Sequence, residues 1–169
     1  MAVVFDASIL IDLFNKKLTG DRRARLDHLI ESLKKQRTKV LIPTPALAEL
    51  LVKAGKARER YLTELTNGSS FSIESFDQRA AIECALLVED AWARGQKGKV
   101  THTKFKFDWQ IVAIAASRNA TAIYSDDPDI SNAAARVRIP VHRTESLPIP
   151  SSSRQRTIAF DEPEDDDGG

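Results

Sequence analysis

A chain of 169 residues with 42% hydrophobic side chains, 25 basic and 24 acidic residues has the size and balance of one folded domain with a real core. No run approaches the roughly 20 apolar residues of a membrane span, the start MAVVFDAS lacks the basic segment of a secretory leader, and the single cysteine, Cys84, excludes an internal disulfide. A reducing, cytoplasmic setting without membrane association fits these features. The formal charge of +1 conceals a split, because residues 151–169 hold two arginines against six acids, net −4, leaving +5 on the rest. A basic body suits a polyanionic partner.

In chain order, residues 3–5 (VVF) read as a buried strand that ends in Asp6, and Ser8 opens an apolar helical run over residues 9–14. An acid at the carboxyl end of a buried strand stands where open α/β sheets place their ligand crevices. Its plainer use is to cap the following helix. Asp21 is expected to cap a second helix reaching about residue 37, with Leu26, Leu29, Ile30 and Leu33 inward. The basic edge of that helix (Arg22, Arg23, Arg25, Lys34, Lys35) reads as solvated surface. Residues 39–42 (KVLI) form the next strand. Thr44 as N-cap and Pro45 at the first helical position open a helix with Leu47, Leu50, Leu51 and Ala54 inward and Glu49 opposite.

A charged helix runs to Thr66, and residues 71–76 alternate as a strand with one solvated side. Asp77 caps a helix to about residue 94, with Ala80, Ala81, Cys84, Leu87, Val88 and Ala91 inward. Residues 95–106 read as a loop, and Asp108 starts a helix (DWQIVAIAAS) apolar on nearly all sides. Residues 121–125 form a strand, followed by the turn DDPD and a small-residue helix, with a last strand at 139–142. Residues 150–169, Ser-rich and then acidic, read as a disordered tail. Alternating strands and helices predict an α/β domain over residues 1–149, a three-layer α/β/α arrangement around a mainly parallel sheet.

Four carboxylates stand at element boundaries: Asp6, Glu49, Asp108 and Asp127. Right-handed crossovers in a parallel sheet gather such ends on one edge. Each also has a plainer reading, Asp108 as a helix cap, Glu49 as a solvated side chain, and Asp126, Asp127 and Asp129 as turn residues. Like charges about 4 Å apart repel by about 4 kcal/mol at an effective dielectric of roughly 20. A cluster therefore calls for a cation, and all-oxygen donors select Mg²⁺ or Mn²⁺, ions that serve phosphodiester hydrolysis.

In this order the motifs resemble the PIN domain: FDAS with Asp6 and Ser8, PALAELL with Glu49, KFKFDWQIVAIAA with Asp108, and YSDDPDI with Ser125 and Asp127. The resemblance covers residues 2–149 and is greatest to the VapC-like toxins of bacterial toxin–antitoxin pairs. It implies a metal-dependent endoribonuclease acting on single-stranded or looped RNA, with Asp6, Glu49, Asp108 and Asp127 as catalytic and metal-binding acids and Mg²⁺ or Mn²⁺ as cofactor. It also implies a homodimer and an antitoxin protein whose C-terminal segment blocks the site. The family's Thr-x-Asp turn maps onto Ser125-Asp126-Asp127, which makes Asp127 the fourth acid and Asp126 the alternative. Ser8 and Ser125 then steady the acids or contact the substrate phosphate.

Arg94, Lys97, Lys99, Lys104 and Lys106, with His102, run straight into Asp108 among Phe105, Phe107 and Trp109. Basic side chains there suit phosphates and an exposed aromatic suits a splayed base, so Lys99, Lys104 and Lys106 are the expected substrate-binding residues. Two rival functions remain. One is a non-catalytic RNA- or protein-binding module. The other is an aspartyl-phosphate phosphatase, whose chemistry wants a second Asp two residues after Asp6, where Ser8 stands.

Overall fold

The apolar tetrapeptide AVVF makes β1 (Ala2–Phe5), whose last three residues are buried. The computed structural model describes residues 1–95 and 102–151, with the backbone alone for 102–106. Among these residues β1 is joined by β2 (Lys39–Pro43), β3 (Phe71–Glu74), β4 (Ile123–Tyr124) and β5 (Val141–His142). All pairings are parallel, in the order β3-β2-β1-β4-β5. The connecting helices are α1 (Ala7–Phe14), α2 (Gly20–Lys35), α3 (Thr44–Ala54), α4 (Arg58–Asn67), α5 (Gln78–Ala93), α6 (His102–Ser117) and α7 (Pro128–Ala134).

The chain winds outward from β1 to β3, then returns past β1 to β4 and β5. Right-handed crossovers put α1–α4 on one face of such a sheet and α5–α7 on the other. Contacts run within each group, α1 with α2 and α3 and α3 with α4, and α5 with α6 and α6 with α7, while α3 also meets α6. This is the expected three-layer α/β/α domain. The strand order reverses between β1 and β4, the switch point at which such sheets open a crevice beyond the strand ends. Asp6 leaves β1 there, and Ser125, Asp126 and Asp127 leave β4.

That edge is firmly held. Val4 and Asp6 donate backbone hydrogen bonds to Ala122 (2.9 Å) and Tyr124 (3.1 Å). Phe5 is fully buried and meets the Tyr124 ring edge-on at 5.4 Å. Replacing such an aromatic by alanine costs about 3–5 kcal/mol, so the strand end carrying Asp6 has little freedom. Gly55 adopts a φ of +53°, a left-handed conformation that suits glycine, and ends α3 before a 3-10 turn leads into α4.

Several boundaries differ from the sequence reading. Helix α6 begins at His102, so residues 102–106, expected as loop, are helical, and Asp108 lies well inside the helix instead of starting it. Lysines favour helix almost as much as leucine does, and KFKF holds no Gly or Pro to break the helical run. The N-cap of α3 is Pro43, so Thr44 is already helical. Thr19, not Asp21, occupies the N-cap of α2. Ala81 is exposed on α5, while Ala80, Cys84, Leu87, Val88 and Ala91 are buried as expected. Among the described residues no helix is long and apolar enough to cross a membrane. Lys97 and Lys99, and the acidic segment from residue 152 onward, lie outside the described residues.

Candidate active site: a carboxylate cleft at the switch point

Asp6 is 5% exposed and occupies the N-cap position of α1, but its side chain makes no capping hydrogen bond. Two hydroxyls instead donate to the same oxygen, Oδ2: Ser8 Oγ at 3.1 Å and Ser125 Oγ at 2.8 Å. Each hydroxyl also accepts a backbone N–H from the turn after β4, Ser8 from Asp126 at 3.1 Å and Ser125 from Asp127 at 3.0 Å. The carboxylate of β1 and the turn of β4 are thus tied together through two serines. Burial pushes the Asp6 carboxyl above its ordinary value, and the Ser125 hydroxyl, the Ala7 amide and the Ser8 hydroxyl offset that only in part. Ser125 is fully buried, and its hydroxyl supports Asp6 and the turn.

The two acids of the turn diverge. Asp126 faces away from the cleft, where Oδ1 accepts the Thr144 N–H at 2.8 Å and Oδ2 accepts the Thr144 hydroxyl at 2.9 Å and Arg22 at 2.5 Å. Arg22 also donates to Asp12 at 2.6 Å. Burial works to raise the Asp126 carboxyl, but Thr144 and the Arg22 guanidinium more than offset it and hold the group below its ordinary range. Asp127 caps α7 through Oδ1, which accepts the Asp129 N–H at 2.8 Å. Asp127, Asp129 and Asp108 each bring a carboxylate oxygen within 4.8 Å of the others.

These three line a cleft of about 550 Å³ together with Glu49, Ala48, Val52 and Phe107. Glu49 is exposed on the outer side of α3, as its periodicity requires, yet that side forms the cleft wall. Burial, then the charges of Asp6 and Asp127, push its carboxyl up against the opposing pull of Lys53. Asp6 is neither among the residues lining this cleft nor in the three-acid group, but its charge reaches Glu49. Of the aromatics, Phe107 is 51% exposed at the cleft, whereas Trp109 is 8% exposed and packs under the Arg136 guanidinium at 5.6 Å. Lys104 and Lys106 sit on α6, but their side chains, like all of Lys99, lie outside the described residues.

The donor set fits a hard divalent cation. It is made only of carboxylate oxygens, those of Asp108, Asp127 and Asp129. Asp129, read from the sequence only as a turn residue, joins the set. Its signal was its place two residues after Asp127 in a DDPD turn, which ordinary turn chemistry explains equally well. The arginines of α2, expected as plain surface, are fasteners. Arg23 donates to the carbonyls of Asp12 (3.0 Å), Leu13 (3.2 Å) and Asn15 (2.6 Å) at the end of α1. Arg25 donates to Glu145 O at 2.6 Å and to Leu147 O, fixing the segment after β5.

Comparison with solved structures finds similar folds. A VapBC2 structure from Rickettsia felis, bound to a DNA fragment from its promoter, superposes with a TM-score of 0.60 at 19% identity, over 85% of this chain and 98% of that one. VapBC-1 from nontypeable Haemophilus influenzae gives 0.58 at 14% identity, over 86% and 99%. VapC20 of Mycobacterium tuberculosis, described as a sarcin-ricin loop cleaving toxin, gives 0.53 at 18% identity, over 78% and 94%. At these identities the likeness is one of fold. Comparison with curated protein sequences gives no match. The PIN domain family model matches residues 3–136, a span that holds Asp6, Glu49, Asp108, Asp127 and every strand but β5, and the chain belongs to the PIN domain family.

Proposed function

We propose that the protein is a metal-dependent endoribonuclease of the VapC toxin kind, cutting single-stranded or looped RNA. The observation that carries this reading is the convergence of carboxylates from α3, α6 and the β4–α7 turn on one open cleft in a PIN-domain chain. Asp6, Glu49, Asp108 and Asp127 are the proposed catalytic and metal-binding acids, with Asp129 as a fifth carboxylate. Mg²⁺ or Mn²⁺, when bound, supplies stabilisation of charge developing on a phosphate oxygen and lowers the pKa of water. The carboxylate oxygens facing the cleft orient the attacking water for in-line displacement. Ser8 and Ser125 hold Asp6 and the turn in register, and Phe107 offers an exposed ring on which an unpaired base can stack.

The similar structures include VapBC complexes. By analogy we propose an antitoxin partner that covers the cleft, a homodimeric toxin, and a cytoplasmic location. The test is cleavage of a labelled RNA pool by the purified full chain in Mn²⁺ and in EDTA, with Asp108→Asn as control. The reading expects metal-dependent internal cuts that the control lacks. RNA bound but uncut in Mn²⁺ sinks the catalytic reading in favour of a binding module.

A further inference from the structure

A second cavity, of about 470 Å³, is lined by Arg94, Arg136, Arg138, Asn132 and Ala135. Two of its arginines are held in place. Asp90 on α5 accepts from Arg94 Nε at 3.0 Å and from Arg136 Nη1 at 2.7 Å, and Arg136 is further held over the Trp109 ring. One aspartate thus sets the position of two guanidinium groups. Arg138, at a φ of +57° after the 3-10 turn Ala135–Val137, is exposed and makes no ion pair among the described residues. The cavity is therefore lined by three guanidinium groups, two of them sharing Asp90, and, in Asn132, by a side-chain amide donor. Planar guanidinium groups fixed in this way match phosphate oxygens.

Its place in the fold gives the ligand. Asp129, at the start of α7, lines the carboxylate cleft. Asn132, three residues on and roughly 5 Å along the axis, lines the arginine cavity. Residues three and four apart share a helix face, so Asp129, Asn132 and Arg136 follow one another along a single face that continues from α7 into the 3-10 turn. On the other wall, Trp109 beneath Arg136 is the α6 neighbour of Asp108. One strand can span both cavities, its scissile phosphate at the acids and a neighbouring phosphate at the arginines. The acids alone repel a polyanion, and the arginines lie where that repulsion is offset.

We infer that Arg94, Arg136 and Arg138 with Asn132 form a phosphodiester subsite that holds the RNA backbone beside the cleft. This rests on reading the cleft as an RNA site, and it assigns backbone contact to α7 and the end of α5 as well as to the lysines before Asp108. The test is equilibrium binding of a fluorescent single-stranded oligoribonucleotide across a salt series, in EDTA so that no cleavage intervenes. Arg136 is left intact because it packs on Trp109. The variant is Arg94→Gln with Arg138→Gln, and the charge-matched control is Lys35→Gln with Lys39→Gln. Lys39 begins β2 at the opposite edge of the sheet, and Lys35 ends the helix leading to it.

Each single-strand phosphate contact contributes about 0.7 to the log–log salt slope, so the arginine variant is expected to lose about 1.4 and the control nothing. With cleavable substrate in Mn²⁺, its KM rises and kcat holds. An unchanged slope, or equal loss in variant and control, overturns the subsite. Loss of affinity for poly-aspartate but not for RNA also overturns it, in favour of an acidic protein partner. Arginine-dependent RNA binding by a wild type that cuts nothing in Mn²⁺ supports the subsite and refutes the cleavage reading alone.

Discussion

Asp126 and Asp127 are adjacent in the chain and opposite in surroundings, and substitution should separate them. Asp126→Ala leaves the Thr144 N–H without its acceptor and the Arg22 guanidinium with Asp12 alone, an expected loss of about 2 kcal/mol of stability by urea denaturation. Asp127→Asn keeps an oxygen for the Asp129 N–H and removes charge from a crowded cleft. It should leave metal-free stability unchanged or raised, while RNA cleavage falls about 100-fold or more, equivalent to about 3 kcal/mol of lost transition-state stabilisation. If Asp127→Asn unfolds the protein as readily as Asp126→Ala, the division between the two acids is wrong. Ser125→Ala is expected to cost about 1–3 kcal/mol, because it strips Asp6 of its shorter hydroxyl bond and leaves the Asp127 N–H without that acceptor.

At the scale of elements, α5 and α6 are joined to β3 by one fastener. Arg118, just past the end of α6, donates to Glu74 at 2.7 Å and to Asp77 at 2.8 Å, while Asp77 caps α5 through the Ala80 N–H at 2.9 Å. The Ala80 amide and Arg118 hold the Asp77 carboxyl below its ordinary range, and Arg136 and Arg94 do the same for Asp90. Because the folded values lie below the unfolded ones, the native state binds fewer protons. This stabilisation is complete above about pH 4, the unfolded aspartate range, and is lost as pH falls through the depressed values. Arg118→Gln should therefore show a shallower acid loss of melting temperature than wild type, with the two curves differing most near neutrality. A parallel pair of curves would count against the fastener.

The cap at Asp77 was legible in the sequence because a cap is a local device. Arg118, like Arg22 with partners 10 and 104 residues away, was not, since its role exists only once distant segments meet. The strand core and the parallel order were legible from alternating apolar runs and helical stripes. The start of α6 was not, because lysines preceding an apolar helix look the same in a loop. Glu49 shows a further limit, since periodicity rightly places it outside the core but cannot say that the outer face of α3 is a cleft wall.

For the molecule as a whole, the cleft couples metal binding to stability. Ions that bind only the folded form stabilise it by about 2.7 kcal/mol at one hundred times their dissociation constant. For a chain of this size that corresponds to a rise of about 5–10 °C in melting temperature. Wild type should show such a rise with Mn²⁺, and Asp127→Asn should lose most of it. A wild-type melting curve indifferent to Mn²⁺ would remove the cation from the proposal, whatever the fold.

The bond from Ser125 to Asp6 joins residues 119 positions apart, and the clamp on Asp126 reaches on to Thr144. Read along the time axis of synthesis, β1 is made first and sits centrally, yet its neighbour β4 is made after most of the chain. At about 5–20 residues per second, Asp6 waits on the order of 10 s for the serine that fixes it. A nascent chain shorter than this holds Asp6, Glu49 and Asp108 but not the turn that orients them. The proposed cleavage site is therefore not assembled until the domain is nearly complete.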